Sequence, residues 1–119
     1  MPDEPDIADA PYREGIALFN RGEFFEAHEV WEDVWNECAS AERRFFQALI
    51  QAAVSAHHRA RGNMAGATRL YHSGRKYMEP FGPVYRGLAV GPFWDAMAAH
   101  LAGGPAPTIV TGDAPPAAR

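Results

Sequence analysis

The chain has 119 residues, which suits one domain, and 47% of them are hydrophobic, enough for a core without a disulfide framework. Its single cysteine, Cys38, excludes an internal bridge and points to a reducing compartment. A net charge of −4 with no basic run argues against nucleic acid or an anionic membrane as partner, and no stretch reaches the roughly 18 apolar residues of a membrane span.

The opening MPDEPDIADA is acidic and proline-broken, unlike a secretory signal, so the expected location is cytoplasmic. Residues 1–8 read as a disordered lead. Asp9 followed by Pro11 signals a helix start, and Tyr12, Ile16 and Phe19 recur at helical spacing up to the Asn20-Arg21-Gly22 stop. A second helix covers roughly 23–38, with Phe24, Ala27, Trp31, Val34 and Cys38 on its apolar stripe. Ser40 is placed to cap a third helix running to about Arg61, with Phe46, Leu49, Ile50, Ala53, His57 and Ala60 on one face. Asn63 can cap a fourth, which carries Ala67, Leu70, Tyr71, Gly74 and Met78 inward and ends before Pro80. Residues 81–91 read as loop. Pro92 opens a short fifth helix with Phe93, Trp94, Met97 and Leu101, and residues 104–119 read as a flexible, proline-rich tail.

No strand pattern competes with these periods. The expected fold is all-α: a compact bundle of about five helices over residues 9–103. RGEFFEA at 21–27 lines up with RGNMAGA at 61–67, which predicts two antiparallel helical hairpins. Two copies fall short of the three or more that a solenoid needs, so a bundle is expected.

The chemistry concentrates in FFEAHEVWEDVW, residues 25–36. His28, Glu32 and Trp35 fall within one narrow helical stripe. Side chains at i and i+4 lie about 5–6 Å apart, near enough for an imidazole and a carboxylate to share one divalent ion. On the third helix Gln47, Gln51 and His58 share a stripe, and an antiparallel partner helix brings His58 toward the second helix. The candidate metal ligands are therefore His28, Glu32 and His58, with Trp35 and Gln51 lining the pocket and Glu29 the nearest spare carboxylate for proton transfer. The competing reading is a buried His28–Glu32 hydrogen bond covered by Trp35, since a buried polar group needs a partner in any case. Trp31 and Trp35 read as core residues and Cys38 as an inert buried thiol. The sequence has no GxxxxGK[ST] loop, GxSxG elbow, CxxC pair or HExxH motif.

FNRGEFFEAHEVWEDVW and FFQALIQAAVSAHHRARGNMAGATRLY together resemble the prokaryotic family termed domain of unknown function 309, from about Leu18 to Tyr71. The resemblance implies a small all-helical protein marked by an HxxxExx(W/Y) motif associated with metal binding, matched here by His28, Glu32 and Trp35. Leu49-Ile50-Gln51, His58, Arg61-Gly62-Asn63 and Gly66-Ala67 match its second segment. His57 is not carried over, and Ala48 stands where members often have glycine.

Two functions follow as expectations. One is a helical bundle with a divalent-metal cofactor, hydrolase-like if the ion activates water for a small-molecule substrate. The other is a helical-hairpin interaction module that binds a peptide or another copy of the chain, with the polar trio structural.

Overall fold

A computed structural model describes residues 6–112. Five helices follow in the expected order: α1 Asp9–Asn20, α2 Phe24–Glu37, α3 Glu42–Ala60, α4 Met64–Met78 and α5 Val90–Leu101. The class is all-α. None of these helices is long and apolar enough to cross a membrane.

The two hairpins of the repeat are built alike. Gly22 (φ 82°) and Gly62 (φ 83°) take the left-handed conformation just past α1 and α3. The amides of Gly22 and Glu23 donate back to Phe19 and Leu18, and those of Gly62 and Asn63 to Arg59 and His58. This twofold closure satisfies helix-end carbonyls and turns the chain back, so α2 runs antiparallel to α1 and α4 to α3.

The α3 helix is central. Ala48, Ala52, Ser55 and Ala56 are buried, and such small side chains let neighbouring helices approach closely. The Ser55 hydroxyl donates 2.7 Å to the Ala67 carbonyl, joining α3 to α4. Tyr12 of α1 packs on Phe45 and Phe46 of α3. Phe19 reaches both Trp31 of α2 and Phe93 of α5. Two indoles are seated on glycines. Trp31 lies where a Cβ on Gly15 would be, and Trp94 where one on Gly74 would be. Both of these indole N–H groups have a partner: Trp31 donates to the Tyr12 carbonyl and Trp94 to Met78 Sδ.

Residues 81–91, expected as loop, follow on from a 3-10 turn at Glu79–Phe81 and contain a small antiparallel hairpin. Its strands are β1 Val84–Tyr85 and β2 Leu88–Ala89, and its turn carries Arg86 at φ 49°. Arg86 is the hub of this region. Its side chain is 15% exposed and pairs with Glu42 at the start of α3 and, through two 3.0 Å bonds, with Asp6. Its guanidinium lies over the Tyr12 and Phe46 rings, and its carbonyl accepts from the Tyr12 hydroxyl. Tyr85 donates to the same Glu42 carboxylate. Burial pulls Arg86 toward losing its proton, but the bonds to Glu42 and Asp6 outweigh it and hold the guanidinium charged. Burial and the bond to Glu42 push the Tyr85 hydroxyl above its ordinary range.

The expected tail needs correction over the part described. Ile109 is 4% exposed and belongs to the core. Asn20 brackets its backbone, donating to the Ile109 carbonyl at 2.9 Å and accepting from its amide at 2.7 Å. One side-chain amide thus supplies both halves of a ladder-like pair, so the segment docks without any periodic apolar face. Gly112 adds a bond to the Gly87 carbonyl. At the other end, Ala8 is buried and Asp6 is tied to Arg86, so the expected disordered lead is docked over residues 6–8. The remainder of both expected segments, residues 1–5 and 113–119, lies outside the described residues.

The Arg86 hydrogen bond holds the Asp6 carboxyl below its ordinary value. A carboxylate depressed in the folded state contributes stability that is fully present above its unfolded value, about pH 4, and is lost as pH falls through the folded one. Urea titrations from pH 7 to 2.5 should therefore show Asp6→Asn less stable than wild type at pH 7, with the two converging at the acid end. A constant gap across the range would mean the carboxylate charge plays no part.

Candidate functional site

The α2 helix presents Phe25, His28, Glu32 and Trp35 along the flank that meets α3. The contacts fix this direction: the Phe25 ring packs on His57 at 5.3 Å between centroids, and Arg43 stacks 3.8 Å above the Trp35 ring. Arg43 also donates to the Trp35 carbonyl at 3.2 Å. It thereby ties the first turn of α3 to the last turns of α2.

His28 is oriented from within its own helix. Its Nδ1 lies 2.7 Å from the Phe25 carbonyl, which can only accept, so Nδ1 carries the proton. In the neutral ring Nε2 then holds the lone pair. Nε2 is 4.0 Å from Glu32 Oε1, beyond hydrogen-bond range, and the Glu32 side chain is 52% exposed. The expected His28–Glu32 hydrogen bond is therefore replaced by a local bond to a backbone carbonyl, with Glu32 standing loosely alongside. Trp35 is half-buried, and its Nε1 is buried without a partner among the described residues.

His58 faces away from this flank. Asn63 Oδ1 accepts from the Gly66 amide at 3.0 Å, which fixes the amide orientation and leaves Nδ2 to donate to His58 Nδ1 at 3.3 Å. The His58 ring edge lies over Gly66 of α4. Successive helical residues are 100° apart. When α3 turns His57 onto Phe25 of α2, His58 is carried round to α4. Gln51 follows it: its Cβ lies against Gly74 of α4, and its Oε1 is buried without a partner among the described residues. Glu29 is exposed. The described residues contain no group of three or more His, Cys, Asp or Glu side chains placed to hold a metal ion. The structure keeps His28, Glu32 and Trp35 on one flank but does not bring His58 or Gln51 to them.

Phe25 is what the sequence reading missed. It is 46% exposed, with His28 at 4.9 Å on one side and His57 on the other. The one signal was the doubled aromatic Phe24-Phe25: only one of two adjacent helical residues can join an inward stripe. His57, which the helical period puts in the apolar stripe of α3, makes the bridge to Phe25 of α2.

Asn63 caps α4 with its side chain, accepting from Gly66 as expected, and at the start of α3 the Ser40 hydroxyl accepts from the Glu42 amide at 3.2 Å. Asn63→Ala should lower unfolding stability by about 1 kcal/mol and release His58. Equilibrium urea unfolding measures the first effect and histidine NMR the second.

Residues 12–70 match the model of a family described as Domain of unknown function (DUF309). The chain is also similar to the Uncharacterized protein YpuF of Bacillus subtilis (strain 168), at 43% identity over 49 residues. Those residues are 40% of this chain and 28% of that protein, so the chain spans little more than a quarter of this relative.

Proposed function

We propose, from the premise that the chain belongs through residues 12–70 to the DUF309 family, that it is a helical-hairpin interaction module whose partner is a second copy of itself. The observation that carries this reading is the α2–α3 flank. There Phe25 stands exposed between two imidazoles, and Trp35 is only half-buried beneath Arg43. An exposed aromatic beside half-buried apolar and polar groups is the usual make-up of a contact patch.

The charge pattern argues for a second copy. Residues 1–37 hold eleven acidic residues against two basic, whereas residues 38–80 hold two acidic against seven basic. On α2 the carboxylates of Glu26, Glu29, Glu32, Asp33 and Glu37 are exposed, and the helix has no Lys or Arg. On the second hairpin Arg43, Arg61 and Arg69 are exposed. The first hairpin of one molecule thus complements the second hairpin of another. A twofold axis makes that contact twice and closes the assembly.

Sedimentation equilibrium should show concentration-dependent dimers that weaken as salt is raised. Phe25→Glu should weaken association by about tenfold or more while leaving the circular dichroism spectrum unchanged. A monomer at every concentration and salt tested would sink the proposal.

One contact favours a divalent-metal role for the same flank. The Phe25 carbonyl fixes the His28 tautomer and leaves Nε2 free beside Glu32, as outer-shell carbonyls do for ligating histidines. These two groups alone do not make a closed site, so the other donors would have to be water or a second copy. Calorimetric titration with zinc and with manganese tests this. Saturable binding in wild type, lost in Glu32→Gln, supports it. No heat with either metal removes it.

A further inference from the structure

A separate groove lies on the other side of α3, between its N-terminal turn and the end of α4. It encloses about 480 Å³, within the range of small-molecule sites. Ala41, Pro80 and Phe81 supply apolar wall, while Arg44, Ser73, Lys76 and Tyr77 supply the polar groups. Phe81 is held by Phe45 and Tyr85, so this wall is anchored to the core. The Arg44 guanidinium lies 5.6 Å from the Tyr77 ring centre.

The polar groups share one character. Arg44 and Lys76 are cations that make no ion pair among the described residues, and the Ser73 and Tyr77 hydroxyls make no side-chain hydrogen bond there. All four can donate to an anion, and no carboxylate lines the groove. Two acidic residues are near in sequence. Glu42 is already engaged by Arg86 and Tyr85, and Glu79 does not line the space.

We propose that this groove binds a small anion carrying an aromatic ring. A phosphate or carboxylate would sit between Arg44 and Lys76 with Ser73 as a further donor, and the ring would lie against Tyr77, Pro80 and Phe81. Charge-assisted bonds to the two cations hold the anionic end, and the anchored aromatic wall selects for a flat apolar body. The groove is distinct from the α2–α3 flank and does not rest on the dimer reading.

The test is titration of the intact chain, followed by NMR, with phenyl phosphate, phenylacetate, inorganic phosphate and benzyl alcohol. The first two distinguish a phosphate from a carboxylate source. The last two present charge alone and ring alone. Saturable shifts centred on Ser73, Lys76 and Tyr77 with phenyl phosphate or phenylacetate are expected. They should be weaker by about tenfold in Arg44→Gln and in Lys76→Gln, variants at exposed positions that leave the fold intact. Three results would each overturn the proposal: no saturable binding of either aromatic anion, binding unchanged in both variants, or inorganic phosphate binding as tightly as phenyl phosphate.

Discussion

The arrangement of the C-terminal third hangs on the burial of one cation. Arg86 sits at the tip of a hairpin of two-residue strands, too short to be stable alone. Its guanidinium joins three places distant in sequence: the segment before α1 through Asp6, the start of α3 through Glu42, and the α1–α3 aromatic contact through Tyr12 and Phe46. A largely buried cation is costly unless it is paired and hydrogen-bonded. Here two carboxylates and two aromatic faces meet that demand. The hairpin they anchor leads directly into α5, whose Phe93 and Trp94 complete the core, and its Gly87 carbonyl receives the chain again at Gly112.

The helical part of this structure was legible because its causes are local. Apolar period, glycine stops and the Asn63 cap each act within a turn or two, and α1 to α4 begin and end close to where those signals stand. The Arg86 hub was not legible. It joins positions 80 and 44 residues apart, and no period marks an arginine as a hub rather than a solvated charge. Ile109 hid for the same reason. Its partner is the side chain of Asn20, 89 residues away, which on sequence alone was only part of a helix stop. Val84–Tyr85 and Leu88–Ala89 are too short to show alternation. Their signal was the Arg86-Gly87 turn, where both residues have positive φ.

The site was half legible for a reason that can be put geometrically. Spacing within α2 puts His28, Glu32 and Trp35 on one flank, because the helix fixes relative angle. It could not decide which flank of α3 would face them. The choice between His57 and His58 is a rotation of one residue, 100°, and it is made by packing. Ser55 and Gly74 draw the flank of α3 that includes Gln51 onto α4, and Phe25 draws His57 onto α2. Once Asn63 caps α4 and donates to His58, that histidine is committed to the second hairpin.

The repeat explains why the two surfaces of the chain differ in kind. Both hairpins close by the same glycine turn, but they diverge after it: Phe24 and Phe25 follow the first, and Met64 and Ala65 the second. The first turn therefore places an aromatic on the outside of α2, next to acidic residues. The second leaves α4 with Ala65, where α2 has Phe25, and with Arg75 and Lys76 in its last turn. The matched region, residues 12–70, contains every side chain of the α2–α3 flank: Phe25, His28, Glu32, Trp35, Arg43 and His57. It stops before Ser73, Lys76, Tyr77, Pro80 and Phe81, so all but the Ala41–Arg44 edge of the groove is built from chain outside it. A contact made through the flank uses residues within the matched region. The groove depends on where α4 ends and how the Arg86 hairpin holds Phe81, features that the matched region does not contain.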